Sequence, residues 1–287
     1  MGTSISLEHK RSILNENIGR SCLYIILVVI SACFVVPFYW LLICSFKQPS
    51  ELFEVPTRWI PREIQFENYI RMFNYIPFMR YLGNTMIIVS ANVVGSVLSG
   101  SFIAYGFSCL NWRGRDKVFI VVLVTMILPF QVVMVPLFLI FHRLGWIGTF
   151  LPLTVTVFFG NPFFIFLIRQ FFLSLPKELN QAAKIDGANE FRIFAQIAIP
   201  LSRPVLATVA IFAFLRSWND FIGPLIFLSS DRLYTLSIGA HMIRSRLQPN
   251  WELLMPLGVV MVLPVMVIFF LMQKYFIQGI AMSGIKG

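Results

Sequence analysis

Long apolar runs alternate with short polar ones along this chain. A membrane-spanning helix needs about 20 largely apolar residues, and six stretches reach that length, at about 22–45, 82–107, 118–141, 149–168, 205–228 and 253–272. Pro129, Pro136, Gly160, Pro162, Gly223, Pro224 and Pro264 fall inside them. Neighbouring helices can satisfy the backbone groups that such residues free, so the stretches still count as spans. Strands of a membrane barrel would be shorter and would alternate in polarity, which these runs do not. The pattern predicts an all-α membrane protein with six transmembrane helices, a single transmembrane domain over 22–287 and a cytoplasmic N-terminal segment over 1–21. The first run is too long for a signal-peptide core, and no small-residue cleavage site follows it. It is therefore taken as the first span.

Composition agrees with this picture. The chain is 57% hydrophobic and 13% charged, with mean hydropathy +0.78, against about a quarter charged in soluble domains. A net charge of +10 would suit a nucleic acid if it were gathered in a stripe, but the basic residues are scattered, and no nucleic-acid partner is expected. The charge bears on orientation instead, because cytoplasmic loops carry the Lys/Arg excess. With the N-terminus inside, the inner segments hold 13 basic residues and the outer ones nine. The short loops contrast more sharply, with three basic residues in 108–117 and one in 142–148. An N-in, C-in topology follows.

Candidate chemistry is sparse. Cys22, Cys33 and Cys44 recur every eleven residues, on nearly one helix face, and read as small apolar packing residues. His9, His142 and His241 are too far apart for metal-ligand spacing. No Gly-x-Ser-x-Gly, His-Glu-x-x-His or paired-carboxylate constellation occurs. Near the C-terminus Gly279, Gly284 and Lys286 resemble a phosphate-binding loop. Ile285 splits the Gly-Lys pair, no Ser or Thr follows, and a membrane helix stands where a strand is needed. Neither a metal site nor a nucleotide pocket is expected. A transporter subunit, a channel or receptor, and a membrane-embedded enzyme remain, the enzyme weakest for want of clustered catalytic groups. In the second run Ala91, Gly95 and Ser99 form a small-residue stripe that lets another helix approach closely.

One polar stretch interrupts the pattern most, "LNQAAKIDGANEFRIFAQIAIPLSRP" at 179–204. Ser174 and Pro176 supply start signals for a short helix whose apolar face holds Leu175, Leu179, Ala182 and Ala183 and whose other side holds Lys177, Asn180 and Lys184. Asp186-Gly187 ends it, the glycine taking a left-handed turn. Asn189 caps a second helix with Phe191, Phe194 and Ile197 on its apolar side, and Pro200 and Pro204 close it. Two such short helices cannot cover their own apolar faces. From pattern alone, a headgroup-resting loop and a protein-docking element fit equally.

The same stretch resembles the "EAA" loop of ABC-importer permeases, with Gln181-Ala182-Ala183, Gly187, Ile197 and Ile199-Pro200 at the family spacing and Asp186-Gly187-Ala188 as in sugar permeases. Other matching stretches are Ala104-Tyr105 before Arg113-Gly114-Arg115, Pro129 with Pro136, Leu144-Gly145, "RQFFLSLPKEL" at 169–179, "WNDFIGPL" at 218–225 and the terminal Gly284-Ile285-Lys286-Gly287. Gln181 replaces the family glutamate, which removes a charge available for a salt bridge to an ATPase, and Ile199 replaces leucine. The resemblance covers nearly the whole chain and points to the carbohydrate-uptake subfamily, with polyols and glycerol phosphates as neighbouring solutes.

The resemblance implies a type I importer permease fold, multi-pass in the bacterial plasma (inner) membrane, working by alternating access. It implies a homologous second permease, two ATPase subunits that bind ATP and Mg, and an extracytoplasmic solute-binding protein as partners, with no cofactor on this chain and no enzyme activity of its own. Glu178, Gln181, Ala182, Ala183, Asp186, Gly187, Ile197 and Pro200 would couple to the ATPase, within a cytoplasmic loop over 174–200 between the fourth and fifth spans. Polar residues inside spans are candidates for the translocation path. Trp218 and Asn219 suit a sugar best, Asp220 is a further candidate, and Asn92, Gln131 and Asn161 are candidates that suit helix–helix hydrogen bonds better. Arg216 and Asp220, four apart, are placed to pair. The loop over 229–252, with His241, Arg244 and Arg246, is expected to touch the binding protein.

Overall fold

A computed structural model describes residues 2–245 and 250–284, and the side chains of 19–245 and 250–273. All regular structure among them is helical. In chain order the helices are α1 (Gly2–Ser45), α2 (Glu67–Tyr75), α3 (Phe78–Ser108), α4 (Arg115–Val124), α5 (Phe130–Arg143), α6 (Leu151–Thr154) and α7 (Pro162–Ser174). They continue as α8 (Lys177–Ile185), α9 (Glu190–Ile193), α10 (Ile199–Leu201), α11 (Arg203–Trp218), α12 (Ile222–Phe227), α13 (Leu236–Arg244) and α14 (Trp251–Gly284).

Among the described residues, four stretches are long and apolar enough to cross a membrane: Gly19–Ser45, Phe78–Ser108, Leu151–Ser174 and Trp251–Gln273. Two bent pairs, Arg115–Ile127 with Phe130–Arg143 (100°) and Glu190–Leu201 with Arg203–Trp218 (78°), raise the number to six if each makes one span. The first of these breaks falls inside the apolar run at 118–141, and the run at 205–228 is itself interrupted between α11 and α12. Leu128, before Pro129, is extended at φ −74°, ψ 113°, because the proline ring disfavours helical backbone in the residue before it. The other run breaks at 219–221. There Pro224 has no N–H for the carbonyl four residues back, and that carbonyl, on Asp220, accepts from Ser237 Oγ at 2.7 Å instead.

The chain divides into two compact units, Met1–Met72 with Pro249–Val260, and Phe73–Gln248 with Met261–Gly287. In the first, Asn68 Nδ2 donates to the carbonyls of Ser45 and Lys47 at 3.1 and 2.9 Å, satisfying acceptors that the end of α1 leaves open. Lys47 is wholly buried; its ammonium donates to Arg58 O at 2.6 Å and lies 4.3 Å from the centre of the Trp40 ring.

The second unit is built around α3. Ala104, Ile168 and Val209, all fully buried, join α3 to α7 and α11 in one apolar core. The small-residue stripe does what its spacing implies: a Cβ on Gly95 would stand 2.6 Å from Val157 Cγ2. Ser99 Oγ donates to Val157 O at 2.9 Å and Asn92 Nδ2 to Leu153 O at 2.8 Å. The bare surface of α3 thus receives the irregular segment between α6 and α7, and its short polar side chains satisfy that segment's carbonyls.

Replacing Gly95 by alanine is expected to destabilise the protein by about 1–3 kcal/mol, since the stiff Val157 side chain cannot turn aside. Gly83→Ala, also on α3, places a Cβ in open space and should be neutral or slightly stabilising. Thermal melting of the detergent-solubilised protein by size-exclusion chromatography compares the two.

Candidate functional site

The polar stretch forms two short helices, α8 and α9, the second continuing through a π turn (Phe194–Ala198) into α10. Its start differs from expectation. Ser174 does not cap α8; its hydroxyl turns back onto Phe171 O at 2.7 Å. Pro176 occupies the cap position, at φ −58°, ψ 126°, and it forces Leu175 to be extended too. The end of α8 is as expected. Gly187 has φ 80°, Ala188 N donates to Ala183 O at 2.9 Å and Gly187 N to Lys184 O at 3.1 Å, the pattern by which a left-handed glycine satisfies the last carbonyls of a helix. Asn189 Oδ1 then accepts from Arg192 N at 2.8 Å and caps α9.

Pro200 explains the π turn. In an α-helix its ring would collide with the carbonyl of Gln196; the turn widens, and Ile199 N bonds Phe194 O, five residues back. Ile193, which the sequence reading passed over, is fully buried, with Phe194, Ile197 and Ala198 beside it in the core around α3. Phe191 lies about a quarter turn from the middle of that side and is 70% exposed. On α8 the expected apolar face divides. Ala183 and Leu175 pack inward, while Glu178, Leu179, Gln181 and Ala182 are exposed, as are Asp186 and Gly187 beyond its end. Ile185 is 87% exposed. Pro200 is half-buried.

One polar link crosses this region. Tyr105, buried near the end of α3, donates its phenol O–H to Glu190 Oε2 at 3.0 Å, and Lys184 Nζ lies 2.6 Å from Glu190 Oε1. The hydrogen bond from Lys184, with that from Tyr105, holds the Glu190 carboxyl below its ordinary 4.5. A depressed carboxyl pKa means that the stabilisation is complete above the ordinary value and is lost as pH falls through the lower one. The link is therefore fully formed at neutral pH. Neither Tyr105 nor Glu190 was singled out from sequence as a partner, because no spacing rule joins residues 85 positions apart.

Most residues proposed for a solute path are engaged within the chain. Asn161 caps α7, accepting from Phe163 N at 3.1 Å and Phe164 N at 3.4 Å. Asn92 donates to Leu153 O, as above. Trp218 is 3% exposed, stacks on Phe214 and donates to Met261 O at 3.1 Å. Asp220 Oδ1 accepts from Gly223 N at 3.1 Å at the start of α12, and among the described residues no ion pair joins it to Arg216. Gln131 and Asn219 are exposed, although Asn219 Nδ2 donates to Leu215 O at 2.8 Å.

The segment after α12 contains a helix, α13, where only a polar loop was expected. Leu236, Ile238, Gly239 and Ile243 are its buried residues, and the three-and-four spacing of Leu236, Gly239 and Ile243 is one that sequence reading could have caught. Asn84 of α3 anchors the segment by donating to Arg232 O and Tyr234 O, both at 2.9 Å. His241 and Arg244 project from α13 and are exposed, the His241 ring 4.9 Å from that of Phe221. Arg246 lies outside the described residues.

Comparison with known proteins places this architecture. Residues 96–282 match the family described as binding-protein-dependent transport system inner membrane component. The arabinooligosaccharides transport system permease protein AraQ of Bacillus subtilis (strain 168) is 34% identical over 278 residues, covering 94% of this chain and 97% of its own length. The diacetylchitobiose uptake system permease protein NgcG of Streptomyces coelicolor is 32% identical, covering 87% of this chain and 83% of its own. A chain from the crystal structure of a bacterial ABC transporter involved in the import of the acidic polysaccharide alginate superposes with a TM-score of 0.79 at 24% identity, covering 91% of this chain and 98% of that one. These relatives are transporter subunits. A family match over most of the length, joined to an all-helical fold shared with an importer permease, makes this chain a member of the binding-protein-dependent transport system inner membrane component family.

Proposed function

We propose that the chain is the permease subunit of an ABC importer for a carbohydrate, crossing the bacterial inner membrane six times with both termini in the cytoplasm. The named substrates of its relatives, arabino-oligosaccharide and diacetylchitobiose, support the substrate class. The chain pairs with a homologous permease. Two ATPase subunits, which carry ATP and Mg, dock on the cytoplasmic side, and a solute-binding protein docks outside. This chain has no hydrolysis site of its own.

The observation that carries the reading is the helix pair α8–α9. It turns on Gly187 at φ 80° and leaves Leu179, Ile185 and Phe191 exposed beside Glu178, Gln181, Ala182 and Asp186. Its other side is seated in the core around α3 through Ala183, Ile193 and Ile197, with Pro200 closing the element. A body docked on the exposed side is thereby connected mechanically to the spans. ATP drives the change only by binding one permease state better than the other, and a seated helix pair is a means of making the states differ.

Four expectations follow for the assembled importer. Gly187→Val strains the turn by about 1 kcal/mol or more, through backbone alone, because a Cβ there meets nothing within 4 Å. It should leave membrane insertion intact and loosen the ATPase or uncouple hydrolysis from uptake. Ala182→Asp should do the same by placing a carboxylate on the docking face, while Gln181→Glu is tolerated; Ala183→Asp acts differently, by breaking the seat in the core. ATPase co-purification and solute uptake, normalised to permease abundance, check these, and wild-type values for Gly187→Val and Ala182→Asp would overturn the coupling role.

The solute path is assigned to the exposed amides of Gln131 and Asn219, with Asn92, Asn161, Trp218 and Asp220 forming its wall. Asn161→Ala should then cost about 1 kcal/mol of stability as a lost cap with the apparent KM unchanged, whereas Asn219→Ala and Gln131→Ala should raise KM. Uptake kinetics beside melting curves separate these outcomes. The binding protein is assigned to the face of α13 bearing His241 and Arg244, with Arg246 following. Charge reversal at Arg244 should reduce binding-protein stimulation of ATP hydrolysis and leave the basal rate unchanged.

A further inference from the structure

Among the described residues, the side-chain contacts that hold α8 and α9 to the rest of the unit are apolar except one link. Apolar contacts are non-directional, so a helix pair seated on them alone can slide without moving its support. Glu190 supplies direction. It stands at the start of α9, takes the ammonium of Lys184 from α8 at 2.6 Å and the phenol O–H of Tyr105 from α3 at 3.0 Å. One carboxylate therefore joins three helices.

Tyr105 is fixed in turn. Its side chain is 5% exposed, with the edges or faces of Phe172 and Phe194 at 6.0 and 5.2 Å between ring centres. Gln181, which stands where the family has its acidic residue, is exposed.

Resting on the coupling role of α8 and α9, we infer that Glu190 is the positioning residue of that element: through Tyr105 it ties both short helices to the end of α3, so that a displacement of the pair is passed to that helix. Phe in place of Tyr105 keeps the ring and removes the hydroxyl. Gln in place of Glu190 keeps an acceptor for the phenol and removes the charge.

The test uses the complete importer, purified with its partner permease and ATPases, with and without Mg-ATP and vanadate. Amide hydrogen exchange is read separately over residues 177–193 and 98–108. In the wild type, trapping should change exchange at both segments, since amide exchange reads local opening. Tyr105→Phe and Glu190→Ala should keep the response at 177–193 and lose it at 98–108, and Glu190→Gln should retain most of both. A purely structural role would instead raise exchange in both segments without ATP and lower the melting temperature, and that result overturns the inference. So does an undiminished response at 98–108 in Tyr105→Phe. If 177–193 does not respond even in the wild type, the coupling role itself fails, and this inference fails with it.

Discussion

In a chain this apolar, backbone groups released by a broken helix find no water, so each must be satisfied from within the protein. That constraint organises the second unit. The segment joining α6 to α7 leaves regular α-helix at Thr156–Phe159, turns at Gly160 with φ 92° and restarts at Pro162. The carbonyls of Leu153 in α6 and of Val157 in this segment are met by Asn92 and Ser99 of α3, and the first amides of α7 by Asn161. The contact requires a surface without side chains, which Gly95 provides. A larger residue there would collide with Val157 and push the segment away from α3.

The same accounting explains where the proline-rich runs bend. Pro224 removes the donor for Asp220 O, and Ser237 replaces it from a different element. Asp220, a charged residue in an apolar run and hence a natural candidate for function, has its carboxylate turned to the amide of Gly223. Trp218 and Asn92 are similarly committed to backbone carbonyls. These polar residues serve as partners for interrupted backbone, whereas Gln131 and Asn219 are exposed.

Around α8 and α9 the logic changes from satisfaction to attachment. The glycine turn and the asparagine cap make the helix pair a defined body, and Ile193 and Ala183 seat it in the core. The carboxylate of Glu190 then adds the only directed polar link between that pair and α3 among the described residues. The pair is thus defined within itself and connected to α3 at one definite point.

By itself, the sequence determined what depends on neighbours a few positions apart. Apolar length marked the helical runs, Asp186-Gly187 the end of α8, Asn189 the cap of α9, and Ala91, Gly95 and Ser99 the site of close approach, because caps, left-handed turns and helix faces are local in origin. The Leu236, Gly239 and Ile243 spacing of α13 was equally local, but the charged residues around it hid it. Tertiary structure alone decided the rest. Whether Ala183 or Ala182 faces inward depends on where α3 lies, and whether Asn161 serves a solute or a helix end depends on the amides around it. The meeting of Tyr105 with Glu190 could come only from folding, since a hydrogen bond is set by distance in space and leaves no period in the chain.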